Sequence, residues 1–161
     1  MDQWVDVNCN SLAQVVCQER RSKVAKDVEV VHEGKKYIIK LSHSGNFTKA
    51  QGICAAENKG MIIFQPRDNQ TTSAILTQAI DLGLSRIWLN IRRKNATSPF
   101  KYLTNDDNEE LLWNDWAQYE PNNHEDKGEF CVQTHWHGPW QSQWMDSVCS
   151  SDGNIVCQQA N

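Results

Sequence analysis

QWMDSVCSSDGNIVCQ, Gln143 to Gln158, sets a tryptophan, two aspartates and two cysteines along a short stretch whose last cysteine follows the β-branched pair Ile155-Val156. It is the second copy of something. QWVDVNCNSLAQVVCQ, Gln3 to Gln18, matches it without a gap: Trp4, Asp6, Cys9, Val16 and Cys17 stand against Trp144, Asp146, Cys149, Val156 and Cys157. Nothing else before Ser22 has a counterpart, so the first copy is only the tail of a repeat. Residues 1–18 are then either the last strand pair of a preceding homologous domain or a hairpin stapled by its own cysteines. Residues 19–35, charged and without a long apolar face, read as a linker, with the Val28–Val30 alternation a short strand inside it. Residues 36–159 read as the domain proper.

At 161 residues the chain has room for one domain with a sizeable core. A net charge of −4 leaves no broad basic field, which argues against a nucleic-acid groove. The longest apolar runs, such as Met61 to Phe64, are far too short to span a membrane, so no membrane insertion is expected in this segment. Six cysteines without a Cys-x-x-Cys pair point to disulfides rather than zinc or redox chemistry. Asn-x-Ser/Thr triplets at Asn46, Asn69 and Asn95 add to the case for a secreted or cell-surface glycoprotein.

Periodicity supplies the elements. KKYIIKLS, Lys35 to Ser42, is a strand closed by the turn His43-Ser44-Gly45-Asn46. Ala50, Ile53, Cys54 and Ala55 fall at helical spacing, with Asn46 or Thr48 as cap and Asn58-Lys59-Gly60 as stop. MIIF is a short buried strand. After Pro66, the residues Ile75, Leu76, Ala79 and Ile80 mark one face of a second helix ending at Gly83. IWLNI is a strand. Polar, Trp-rich sequence then runs with little periodicity to Cys131, and strands return at EFCVQ, around Trp144 and at NIVCQ. Two helices followed by a loop-rich β half predict an α+β fold of small antiparallel sheets.

The long irregular part carries the chemistry. EPNNHEDKGEFC, Glu120 to Cys131, holds four carboxylates (Glu120, Glu125, Asp126 and Glu129) with two asparagines and a histidine. Calcium takes six to eight oxygens from carboxylates, amides and water in a flexible shell. Glu120 and Asn122 each offer one, and Pro121 between them fixes the chain so that both can face the same way. The plainer reading is a solvated acidic loop. No nucleophile elbow, zincin helix or phosphate loop occurs, and no catalytic residues are assigned. His135-Trp136-His137 would place two imidazoles on one strand face, but no third zinc ligand is evident nearby.

Taken in order, Cys54 on the first helix, the second helix, Trp88-Leu89-Asn90-Ile91, Trp116, Glu120-Pro121-Asn122, Cys131, Trp144-Met145-Asp146, Cys149 and Cys157 resemble a C-type lectin-like domain of the E-P-N, mannose-type class. The resemblance covers about Tyr37 to Gln158. It implies disulfides Cys54–Cys157 and Cys131–Cys149, where sequence alone allows fifteen connectivities among six cysteines. It leaves Cys9 and Cys17 to pair with each other or between chains. It also implies a cis Glu120–Pro121 bond, and one Ca2+ held by Glu120, Asn122, Glu129 and Asp146. The partners it implies are mannose-type glycans, bound through Glu120, Asn122, Glu129 and Asp146 with His124 packing against the sugar, and it implies no enzyme activity. An oligomer or a tandem neighbour is compatible with the repeat.

Three departures stand out. Asn90 replaces a usual glycine, a local packing matter. Arg92, Arg93 and Lys94, with Phe130 beside Cys131, replace the acids of the family's auxiliary calcium site. Met145 stands where the family's strand motif has an asparagine that ligates calcium, so the shell loses a ligand and water, Gln143 or Glu125 would have to replace it. Trp113-Asn114-Asp115 imitates the motif but lies before Trp116, on the approach to the loop. Met145 therefore supports the alternative of a protein-interaction module that kept the fold and lost calcium and sugar; ice or mineral binding is a more distant third.

Overall fold

The computed structural model describes residues 25–57, 60–104, 109–135, 138 and 141–160. The first repeat copy with Cys9 and Cys17, and Trp136 and His137 of the histidine pair, lie outside the described residues.

The described chain opens with a hairpin, β1 (Val28–His32) and β2 (Lys35–Gly45). Glu33 and Gly34 turn it with φ of 49° and 77°, the left-handed pair that a two-residue hairpin loop requires. Val30 lies opposite Tyr37, so the short alternation inside the charged stretch is a paired strand. Helix α1 (Phe47–Glu57) begins at Asn46, whose side chain accepts from Lys49 N at 2.9 Å. It buries Phe47, Ala50 and Cys54; Ile53 is half-buried, and Ala55, expected on the inner face, is exposed. After β3 (Met61–Ile63), Asp68 caps α2 (Asn69–Asp81) by accepting from Thr71 N at 2.7 Å. Gly83, at φ 89°, ends α2 with Gly83 N bonded to Ile80 O and Leu84 N to Ala79 O, a Schellman closure.

The second half supplies β4 (Trp88–Arg92), two two-residue strands β5 (Lys101–Tyr102) and β6 (Glu109–Glu110), β7 (Cys131–Thr134), β8 (Trp144–Ser147) and β9 (Gly153–Gln159). They form two antiparallel sheets, ordered β1-β2-β9-β3 and β6-β5-β4-β7-β8. Among the described residues, two α-helices, two small sheets and a long irregular stretch make this the expected α+β fold. One core cluster gathers Ile39, Phe64, Ile75, Leu76, Leu89 and Val156; a second gathers Phe47, Cys54, Trp88, Cys131 and Cys157. Disulfides Cys54–Cys157 and Cys131–Cys149 tie α1 to β9 and β7 to the turn after β8. Asn90, buried, donates to Leu103 O at 2.9 Å and so joins β4 to the chain leaving β5. Gly153 leaves room for Trp88, since a Cβ there would stand 2.7 Å from Trp88 Nε1 and from Arg86 O.

Trp144 positions the irregular stretch. It is fully buried, with Trp113 and Trp116 edge-on at 5.2 and 5.6 Å between ring centroids. Such pairs contribute about 0.5–1.5 kcal/mol each beyond their buried area. Trp144 N donates to Asp115 O at 2.7 Å and Ala117 N to Trp144 O at 2.9 Å. These bonds lay residues 115–117 along β8 and deliver the segment that follows to the side of Asp146.

Candidate functional site

From Tyr119 the chain closes into a tight loop that returns at Glu129. The Glu120–Pro121 bond is cis. Tyr119, Asn123, Glu125 and Asp126 have φ between 45° and 70°, and Gly128 has 77°. Left-handed non-glycine residues persist only where their surroundings hold them. Here side chains do so by accepting from loop amides in place of a strand ladder. Asp146 Oδ1 accepts from Asn122 N, and its Oδ2 from Asn123 N, both at 2.9 Å. Glu129 Oε2 accepts from His124 N at 2.7 Å, and Asn123 Oδ1 from Glu129 N at 3.0 Å. Asn122 Nδ2 donates to Glu120 Oε1 at 2.9 Å.

Glu120, Asn122, Glu129 and Asp146 are thus brought into one hydrogen-bonded network across two segments distant in sequence. His124 stands at its rim, its side chain largely exposed and Nε2 3.6 Å from Glu125 Oε1. Met145, half-buried, lies opposite Gln133 on β7. Both protein groups expected to replace its missing oxygen have partners. Gln143 Nε2 donates to Asp115 Oδ1 at 3.2 Å, and Glu125 pairs with Lys127 at 2.5 Å. Asp115 lies where the sequence put it, on the approach to the loop, bonded to Trp144 and Gln143.

The carboxylates crowd one another. Burial pushes the Glu120 carboxyl up to about 8, helped by the closeness and charge of Asp146 and by the charge of Glu129. Its Oε2 is buried with no hydrogen-bond partner among the described residues. Burial also raises the Glu129 carboxyl, and the charge of Asp146 adds to it. One cation already sits behind them. Arg93 Nη2 donates to Asp146 Oδ2 at 2.9 Å, with the arginine 8% exposed and the Asp146 side chain 0%. Sequence reading took Arg93 only as a sign that the auxiliary cation site is lost. In the structure Arg92 is exposed at the end of β4 and Arg93, the residue after it, is buried. Tyr119, next to Glu120, is 84% exposed.

A cation fits part of this arrangement. The orphaned Glu120 oxygen, the Asn122 amide and Glu129 are hard oxygen donors of the kind calcium takes. Asp146 already carries three hydrogen bonds, and among the described residues no three Asp, Glu, His or Cys side chains form a group that could hold a metal. The donor set is therefore two carboxylates and an amide on the open side, with Asp146 behind and the rest of the shell left to water or ligand.

This fold and sequence place the chain in the Lectin C-type domain family, whose model matches residues 43–159. Among curated proteins it is similar to Collectin-11 of Danio rerio, 25% identical over 126 residues, or 78% of this chain. The match spans 43% of that protein, so the chain covers less than half of this relative's length. Among solved structures the mouse scavenger receptor C-type lectin carbohydrate-recognition domain has the same fold, with a TM-score of 0.68 and 20% identity over 83% of this chain and 96% of that one. So does the cow C-type carbohydrate-recognition domain of CD23, solved in the presence of GlcNAc2Man3 oligosaccharide, with a TM-score of 0.62, 20% identity, and 83% and 93% covered.

Proposed function

We propose that this domain binds mannose-type carbohydrates in a calcium-dependent way, at the loop between Glu120 and Glu129. The observation that carries the proposal is the buried, partnerless oxygen of Glu120, set among Asp146 and Glu129 and beside Asn122. A carboxylate in that position is short of a cation. Glu120, Asn122 and Glu129 would hold calcium directly, with Asp146 as a further ligand through its remaining lone pair. Bound there, calcium supplies coordination positions for two vicinal hydroxyls. Glu120 and Glu129 accept hydrogen bonds from those hydroxyls, Asn122 donates to one, and His124 and the exposed Tyr119 ring flank the sugar. The E-P-N order and the oligosaccharide of the CD23 structure favour the mannose type.

A site on an open loop with few protein ligands is weak, and repetition along a chain or in an oligomer would supply avidity. The two disulfides fit an extracellular setting, secreted or on a cell surface. Among the described residues no helix is long and apolar enough to cross a membrane. Calorimetric titration of EDTA-treated protein with calcium tests the metal half of the proposal. A Kd on the order of 10⁻⁴–10⁻³ M is expected, lost in Glu120→Gln; absence of heat in folded, oxidised protein refutes it.

A second reading, a protein-interaction module without calcium or sugar, draws on the Arg93–Asp146 ion pair together with Met145. It predicts no calcium heat and an unchanged thermal midpoint on adding calcium.

A further inference from the structure

We propose that Arg93 is a built-in cation that holds the 119–129 loop in its ligand-ready shape without metal, which makes it a positioning residue of the site. This rests on the reading of that loop as the binding site. The guanidinium grips the loop at both ends. Toward the entry, its Nη2 donates to Asp146 Oδ2, and Asp146 in turn accepts from Asn122 N and Asn123 N. Toward the exit, its Nε donates to Glu129 O at 3.0 Å, while the backbone N of Arg93 donates to Phe130 O at 2.9 Å. A third donor, Nη1, reaches Ala96 O at 3.2 Å and ties in the 93–98 turn. Phe100 lies 4.6 Å and Phe130 5.8 Å from the guanidinium carbon, so aromatic rings screen the group from water.

Each feature belongs to arginine in particular. A planar fork reaches three acceptors in different directions and stacks on rings, whereas a lysine ammonium acts as a compact point charge. Without Arg93, Asp146 would be a buried carboxylate with its guanidinium partner gone, and Asn122 N and Asn123 N would rest on an uncompensated charge that opens the loop until a cation enters. The neighbouring Arg92 and Lys94 are exposed and take no part. Arg93 therefore does structurally, and permanently, what a second bound cation would do reversibly.

Hydrogen exchange tests this on the intact chain, read at the amides of Asn122, Asn123, His124 and Glu129 in EDTA. The amides of the β2–β9 pairing serve as internal controls for global folding. In the unaltered protein the loop amides should already be protected in EDTA; calcium at 10 mM adds roughly tenfold or more by mass action at the Kd expected above and is not part of the comparison. Arg93→Gln and Arg93→Lys should exchange about tenfold faster or more at those amides in EDTA, over and above any uniform change at the β2–β9 amides that reports lost global stability. If Arg93→Gln fails to fold, Arg93→Lys, which keeps the charge but not the fork, carries the comparison. Unprotected loop amides in the unaltered protein in EDTA, or a lysine variant that matches it, would overturn the proposal. Both comparisons are made in EDTA, so they decide the role of Arg93 even if calorimetry finds that the domain binds no calcium.

Discussion

Asp146→Asn is the perturbation whose cost the structure defines most fully. The side chain is 0% exposed and accepts three hydrogen bonds, from Asn122 N, Asn123 N and the buried Arg93. An asparagine of the same shape keeps one acceptor for Asn122 N but turns an NH2 toward Asn123 N–H and the guanidinium, so donors meet donors. Hydrogen bonds to charged groups contribute roughly 1.5–3 kcal/mol each. Removing one partner of a buried ion pair costs about 3–5 kcal/mol, because the other charge is left uncompensated. We expect about 3–5 kcal/mol of lost stability, read as a urea midpoint lower by roughly 1.5–3 M at unchanged slope. The assay is urea unfolding in EDTA with both disulfides intact. Arg93→Met should be destabilising too, and the double variant should fall short of the sum by about 1.5 kcal/mol or more. A loss below about 1 kcal/mol for Asp146→Asn, or a cycle that closes within about 0.5 kcal/mol, would refute the claim that this pair organises the loop.

Three further outcomes follow from the same site and staples. Glu120→Gln with Asn122→Asp should move sugar preference from mannose toward galactose on matched affinity columns; retained mannose preference counts against a metal-centred site. The Glu120 carboxyl lies near 8 in the folded, metal-free protein against an ordinary 4.5, so folding retains a proton that the unfolded chain releases. That contribution to stability is complete below about pH 4.5 and is lost as pH rises through about 8. Calcium binding near pH 7 should accordingly release about one proton per ion, measurable by calorimetry in buffers of different ionisation heat; a release near zero counts against the raised Glu120 carboxyl. Replacing Cys54 and Cys157 by serine should cost about 4.7 kcal/mol for a 103-residue separation, and replacing Cys131 and Cys149 about 3.2 kcal/mol for 18, on a chain-entropy account tested by urea melts.

Much of the fold was legible because local chemistry and tertiary packing agree. Asp68, the apolar face of Ile75, Leu76 and Ala79, and Gly83 mark α2 from start to stop, and each does in the structure what its residue type suggests. The strands β4 and β9 are buried on both faces, and their centres IWLNI and NIVC read as strands in the sequence. Ala55 misled because it shares the helical spacing of Cys54 while pointing to solvent; alanine at a helix surface carries little pattern information. The two-residue strands β5 and β6 left no periodic trace, since two residues cannot establish a period. At the site, Glu120, Asn122 and Glu129 were recognisable as oxygen donors by type and order. That Asn122 N and Asn123 N would rest on Asp146 was not, because a side chain accepting from a remote loop's amides leaves no mark in either segment. Arg93 was not legible either: in the run Arg92-Arg93-Lys94 it looks like its solvated neighbours, and β4, buried from Trp88 through Ile91, has no alternation to extend.

Retention on immobilised mannose in millimolar calcium, followed by an EDTA wash, tests the central claim most directly. Folded, oxidised protein should be retained with calcium and released by EDTA. Flow-through of the same protein in calcium, or retention that survives EDTA, would contradict it.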